Sequence, residues 1–262
     1  MRDPLIIGVL SDDHGYRITA QSKSLLPAGF CLQSVIWQKQ GQLHRVKLRM
    51  ADEGSTTGFS GDGSIRVNGI IVEHSLPSEF PEDIPFCTAD TLPNADQRHS
   101  FIAAVCARAE FDAMCAEFLT PHKLIQFHSR YKMLLLAHSQ PLYRELGPLV
   151  AGVTASHSLE EFAQQYRRKL MQILMLPANR RDNTNALMHM QGYFRPFIGG
   201  ERRQHLAETI EQYRRGILPL TAPVDELRHL QTEHPHPWLA SQRFLFPWLP
   251  DIQAGAIQQE IP

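Results

Sequence analysis

An α+β fold is predicted: a small β-containing N-terminal module followed by an all-α domain. Three observations carry this. The first ninety residues read as short strands and turns, residues from about Arg98 onward show helical apolar spacing, and Pro77, Pro81, Pro85 and Pro93 punctuate the stretch between. The expected organisation is a module over 1–97, a helical domain over 98–250 and a tail over 251–262.

Taken in order, Leu5–Leu10 is an unbroken apolar run, and Leu32–Trp37 reads as a strand. A Gln-Gly-Gln turn leads into Leu43–Leu48, which alternates apolar and polar residues. Gly54–Gly63 is a Gly/Ser/Thr loop with no Walker or dinucleotide pattern. Ile65–Val72 reads as a strand broken by a turn or bulge signal at Asn68-Gly69. The first helix is expected to end near Phe118. Thr120-Pro121 opens the next, with Thr as N-cap and Pro at the first helical position, running to about His138. Ser158-Leu159-Glu160-Glu161 is a capping box opening a helix that Pro177 stops. Further helices are expected over Arg181–Arg195 and Glu201–Arg215, the latter ending on Gly216, with shorter ones over Pro223–Leu230 and Pro237–Phe246.

Composition excludes several classes. A hydrophobic fraction of 43% and a charged fraction of 20% suit a globular chain with a core, not a disordered or fibrous one. No apolar run approaches the ~18 residues of a membrane span. Leu5–Leu10 is too short for a signal peptide, and Ser11-Asp12-Asp13 is no cleavage site, so a cytoplasmic location is expected. The four cysteines form no Cys-x-x-Cys pair and are expected as free thiols. His14, Asp12 and Asp13 are explained as well by a turn as by a metal, and neither metal nor cofactor is expected. The net charge of −1 conceals an asymmetry: residues 1–118 hold 10 Lys/Arg against 15 Asp/Glu, residues 119–262 hold 16 against 12. The basic part is the one expected to meet an anionic partner.

On the Pro121–His138 helix, Leu124, Phe127, Tyr131, Leu134 and Leu135 fall within an arc of about 100°. His128, Lys132 and His138 fall inside or beside that arc, turned toward the core side. On the Arg181–Arg195 helix, Asp182, Asn185, His189, Gly192 and Tyr193 form a polar strip opposite Leu187, Met190 and Phe194. If the two faces meet, His128, Lys132, His138, Asn185, His189 and Tyr193 line one polar pocket, with imidazoles for proton transfer and Lys132 for an anion. The same pattern also describes hydrogen-bonded core histidines and a lysine whose stem lies along the apolar face. A second candidate set is basic: Arg167-Arg168-Lys169, Arg180-Arg181, Arg202-Arg203 and Arg214-Arg215, with Tyr166, Tyr193, Phe194 and Tyr213 nearby. These suit phosphate and base recognition in RNA, and equally suit solvated helix faces paired with Glu160, Glu161, Glu208 and Glu211.

Several separated motifs carry a resemblance: Phe127-His128-Ser129-Arg130-Tyr131-Lys132, Leu134–Ser139, Tyr143–Gly147, Asn185, His189–Phe194, Tyr213–Gly216 and Gln242–Pro247. Over residues of about 118–250 the chain resembles the YbgA-like family, a helical domain often fused behind an iron–sulfur domain of the thiouracil-desulfidase type. The resemblance implies a tRNA-binding accessory module in thiolated-nucleoside metabolism. An enzyme on a small anionic substrate and a protein-interaction scaffold are the alternatives. Gly8-Val9-Leu10-Ser11 is similar to the opening of the desulfidase domain, but no cysteine stands near Ser11 and no downstream set supplies the cluster ligands. The implied desulfidase activity therefore does not extend to this chain.

Overall fold

The computed structural model describes residues 5–10, 23–27, 29–40, 43–48, 67–76, 80–156 and 158–247. Ser11–His14, the Gly54–Gly63 loop and the 251–262 tail lie outside the described residues. The fold is α+β. By its internal contacts the chain divides into two units, 1–113 with 248–262, and 114–247.

Among the described residues of the first unit five strands form one sheet: β1 (Leu5–Leu10), β2 (Phe30–Gln40), β3 (Leu43–Leu48), β4 (Gly69–Val72) and β5 (Phe86–Thr88), in the order β3-β2-β1-β4-β5. β2, β4 and β5 extend the sheet in parallel with β1, and only β3 runs antiparallel, as the partner of β2 in a hairpin. The unbroken apolar run of β1 has its reason here, because a central parallel strand is buried on both faces. Leu5, Ile7 and Val9 pack with Ile71 and Cys87 on one side, whereas Ile6 packs with Ile70, Val72 and Ile84 on the other. Asn68 ties the edges of two strands, its Oδ1 accepting from Ile6 N at 2.8 Å.

Helix α1 (Ala95–Ala116) covers the first face with Phe101, Ile102, Val105 and Cys106. Asn94 Oδ1 caps it, accepting from Asp96 N and Gln97 N at 3.1 Å. Gly69 is required by this packing: a Cβ there would lie 2.6 Å from Val105 Cγ2. The expected boundary at 97/98 and the division between the units at 113/114 thus differ by most of one helix, which follows the sheet because its apolar residues pack there.

Among its described residues the second unit has only helices: α2 (Pro121–His138), α3 (Gln140–Ala151), α4 (Leu159–Leu174), α5 (Arg180–Phe194), α6 (Gly200–Arg214), α7 (Thr221–Glu233) and the single turn α8 (Pro237–Ala240). α2 starts where Thr120 accepts from Lys123 N at 3.2 Å, and α4 starts where Ser158 accepts from Glu161 N. Asn179 caps α5 in the same way, accepting from Asp182 N at 2.9 Å. Gly216 closes α6 at φ +83, a left-handed conformation that suits glycine. The core is built from Phe127, Tyr131 and Leu135 of α2, Tyr166, Leu170 and Met171 of α4, Leu187, Met190 and Phe194 of α5, and Leu227 and Leu230 of α7. Among the described residues no helix is long and apolar enough to cross a membrane.

Two expectations differ from this course. α3 was not anticipated, and the segment expected as a helix over Pro237–Phe246 is helical only to Ala240. Ser139 explains the first: it is at once the C-cap of α2 and the N-cap of α3, so the two helices abut without a loop. Gln242 and Arg243 explain the second, because their hydrogen-bonding groups are taken by α2. Arg243 N donates to Arg130 O at 3.0 Å, and the Gln242 amide donates to Ser129 O at 2.9 Å while accepting from Met133 N at 3.3 Å.

Candidate functional site

The three inward-turned groups of α2 meet different surroundings. His128 lies half-buried against α3 and α4. Its Nδ1 shares a hydrogen bond with Tyr166 Oη at 3.1 Å, its ring stacks on Tyr143 at 5.7 Å, and the Tyr166 ring stands edge-on at 5.9 Å. Burial, with a smaller contribution from the Lys132 ammonium, pushes its pKa down to about 4. It is therefore a neutral imidazole at pH 7 and has no proton to give there as an acid. Burial likewise raises the pKa of the Tyr143 and Tyr166 hydroxyls. His138, at the other end of α2, is buried and donates from Nδ1 to Leu176 O at 2.7 Å, closing the start of the α4–α5 connection.

Lys132 takes a third direction. Its ammonium lies 5.8 Å from the centroid of the Trp238 ring, a cation–π arrangement. Tyr193 of α5 stacks on the same indole at 4.9 Å with 21° between the planes. Of the six candidate pocket residues, Lys132 and Tyr193 are thus brought together, through an indole that sequence reasoning had not singled out. His128 and His138 are turned to other partners, and His189 is exposed. Asn185 is half-buried, with its Nδ2 out of contact with solvent and without a hydrogen-bond partner.

Trp238 belongs to an aromatic row. His236 meets Tyr193 edge-on at 5.0 Å, and His234 stacks on Phe197 at 5.8 Å and 19°. The scaffold beneath the row is tightly bonded. Trp238 Nε1 donates to Ser129 Oγ at 3.0 Å, Gln231 bonds both the N–H and the carbonyl of His236, and fully buried Gln242 clamps Trp238 O, Ser129 O and Met133 N. Sequence reasoning missed this row. Its signal was present as His234-Pro235-His236-Pro237-Trp238, where rings alternate with prolines that keep the preceding residues out of the helical conformation.

The basic candidates divide into committed and uncommitted groups. Arg202 is held by Glu233 through two hydrogen bonds, and Arg214 by Glu211 through two at 2.6 Å. These contacts lower the pKa of both carboxylates and raise that of both guanidiniums. Arg180 donates to Tyr213 O at 2.6 Å and to Leu218 O, with its guanidinium over the Tyr213 ring, so it pins the end of α6. Arg167 is half-buried. Among the described residues, none of Arg168, Lys169, Arg181, Arg203 and Arg215 is held in an ion pair. A separate cleft of about 520 Å³ between α6 and α7 is lined by Arg202, His205, Glu208, Glu226 and His229. It mixes both signs of charge, and no group of described residues has the composition of a metal site.

Residues 132–248 match a family model described as "Protein of unknown function (DUF1722)". Over 149 residues the chain is 44% identical to a protein of Escherichia coli (strain K12) described as "Uncharacterized protein YbgA". That match covers 57% of this chain and 88% of the relative. No solved structure matches the chain.

Proposed function

Because the chain belongs to the YbgA-like family that carries the DUF1722 domain, we propose that its helical unit is an RNA-binding module, with tRNA as the ligand. Its setting is thiolated-nucleoside metabolism in the cytoplasm. That setting is what the family resemblance implies, since similar helical domains follow desulfidase-type domains. The observation that supports RNA binding best is the Tyr193–Trp238–Lys132 stack, a partly open aromatic surface with an ammonium over the indole. Such a surface suits a nucleobase, whose π-face stacks on the ring while an adjacent phosphate meets the ammonium. The uncommitted cations Arg168, Lys169, Arg181, Arg203 and Arg215 supply phosphate contacts of the sequence-independent kind.

The test is an anisotropy titration of the full chain with a tRNA transcript across a salt series. Each phosphate contact contributes about 0.7 to 0.9 to the slope of log affinity against log salt. Replacing two uncommitted arginines, Arg168→Ala and Arg181→Ala together, lowers that slope by about 1.5. Replacing Arg214, already occupied by Glu211, changes it little. Absence of binding at low salt removes the proposal.

A further inference from the structure

We propose that Phe197–His234 and Tyr193–Trp238 form a two-step stacking ladder that takes adjacent unpaired bases of an RNA loop; this deepens the RNA reading above and rests on it. The row is built from two chain segments running side by side. On one, Tyr193 sits in the last turn of α5 and Phe197 four residues later. The turn Phe197 N to Phe194 O at 2.9 Å, with Arg195 at φ −50 and ψ −39, carries the helical course between them. Residues four apart in that course share a side. On the other, His234 (φ −127, ψ 75) and His236 (φ −122, ψ 114) alternate with prolines, and His236 is in extended backbone. Four residues of helical course, Tyr193 to Phe197, advance the chain by roughly 6 Å. That is about twice the ~3.4 Å rise between stacked bases, so the ladder matches a splayed strand and not a stacked one.

Exposure points the same way. Phe197 is 56% exposed and Tyr193 36%, although each is in ring contact with a partner. A ring that is stacked on one side and open on the other offers a π-face at little ordering cost, because its position is already fixed. At the Trp238 end the Gln231 and Gln242 side chains and the Ser129–Trp238 bond hold the backbone of His236 and Trp238 and the indole.

Charge identifies the occupant. Lys132 stands at the Trp238 end, and exposed Arg195 and Arg203 lie on the segment that carries Phe197 and on the helix after it. Gln191 Nε2 donates to Arg203 O at 3.3 Å, which holds that helix against the end of α5. Glu233, next to His234 in the chain, is occupied by Arg202 and lies 2.9 Å from His229 Nε2 and 3.8 Å from His234 Nε2. A polyanion with planar groups fits this pattern. A proline-rich peptide, the other ligand that aromatic rows take, draws nothing from the cations.

The experiment uses the full chain and two RNAs of the same stem sequence: a hairpin with a seven-nucleotide loop carrying 2-aminopurine, and the blunt duplex. The expected result is preference for the loop and quenching of 2-aminopurine on binding. Phe197→Ala and Tyr193→Ala each weaken loop binding by about 5- to 150-fold, leave duplex binding unchanged and reduce quenching, while Phe197→Trp restores both. Circular dichroism checks that the variants fold. Equal affinity for loop and duplex, loop affinity indifferent to both alanine variants, or displacement of the loop by a proline-rich peptide overturns the ladder. Loss of all RNA binding at low salt instead removes the RNA reading itself, so the two failures are distinguishable.

Discussion

Replacing His128 by phenylalanine isolates one imidazole's contribution to acid sensitivity. In the unfolded chain the imidazole takes a proton near pH 6.5, whereas in the folded protein it does so near pH 4. Above pH 6.5 both states are neutral and the group contributes no pH dependence. Between pH 6.5 and about 4 only the unfolded state binds the proton, so stability falls as pH falls, and below 4 the loss levels off. The shift corresponds to about 3 kcal/mol in full, of which about 2 kcal/mol is lost between pH 7.5 and pH 5. Phenylalanine keeps a ring over Tyr143 but removes the hydrogen bond to Tyr166 Oη, which costs about 1 to 2 kcal/mol at pH 7.5. The variant is therefore less stable than the native chain at pH 7.5 and about equal to it at pH 5. Urea unfolding followed by far-ultraviolet circular dichroism measures both. At a slope of about 2 kcal/mol per molar, the native midpoint drops by about 1 M between the two pH values, and the variant's drops by less. The other histidines are common to both proteins and cancel in the comparison. A stability gap that is the same at pH 7.5 and pH 5 refutes the reasoning.

Three further outcomes follow from packing. Gln242→Ala removes three hydrogen bonds at a fully buried position, but Ser129 O and Met133 N can then pair with each other, so a loss of about 2 kcal/mol is expected in the same urea assay. Because that amide also anchors Trp238, the variant's tryptophan emission shifts to the red before global unfolding. Gly69→Ala drives a methyl into Val105, itself fully buried, and lowers the melting temperature by an amount equivalent to about 1 to 3 kcal/mol. Gly216→Ala has open space around it and costs only the left-handed backbone, about 1 kcal/mol, while Gly216→Asn costs less.

The helices were legible where their ends are written in side chains. Thr120-Pro121 and Ser158 mark starts that the structure reproduces, because a hydroxyl accepting from the third N–H is a local event. Where one residue serves two helices, as Ser139 does, local signals merge, and α3 went unread. Four of the strands were legible, but β5 lies in the proline-punctuated stretch expected to link the two parts, and the parallel pairing was not legible. Parallel pairing is decided by crossovers between Leu10 and Phe30 and between Val72 and Phe86, and neither carries a strong signal. The Asn68-Gly69 signal read as a turn marks something else as well, a place where a helix comes within van der Waals distance of a strand.

Periodicity tells which way a side chain leaves a helix but not what meets it, and this separated the three ionisable groups of α2. An imidazole can be accepted into a core by finding one acceptor or donor, as His128, held neutral by burial, does with Tyr166 and His138 does with Leu176 O. An ammonium near pH 7 has no comparable route, since discharging it costs several pKa units. Lys132 accordingly uses its stem to leave the apolar arc and rests its charge on the Trp238 ring, near the surface. Of the three histidines expected as acid–base groups, His128 and His138 are thus taken up by internal partners, and His189 is exposed. The lysine, which sequence reasoning placed beside them, stands where an anion approaching α2 would meet it. In the proposed reading a ligand of this unit meets Lys132, Trp238 and Tyr193, whereas His128, bonded to Tyr166 and stacked on Tyr143, acts on stability.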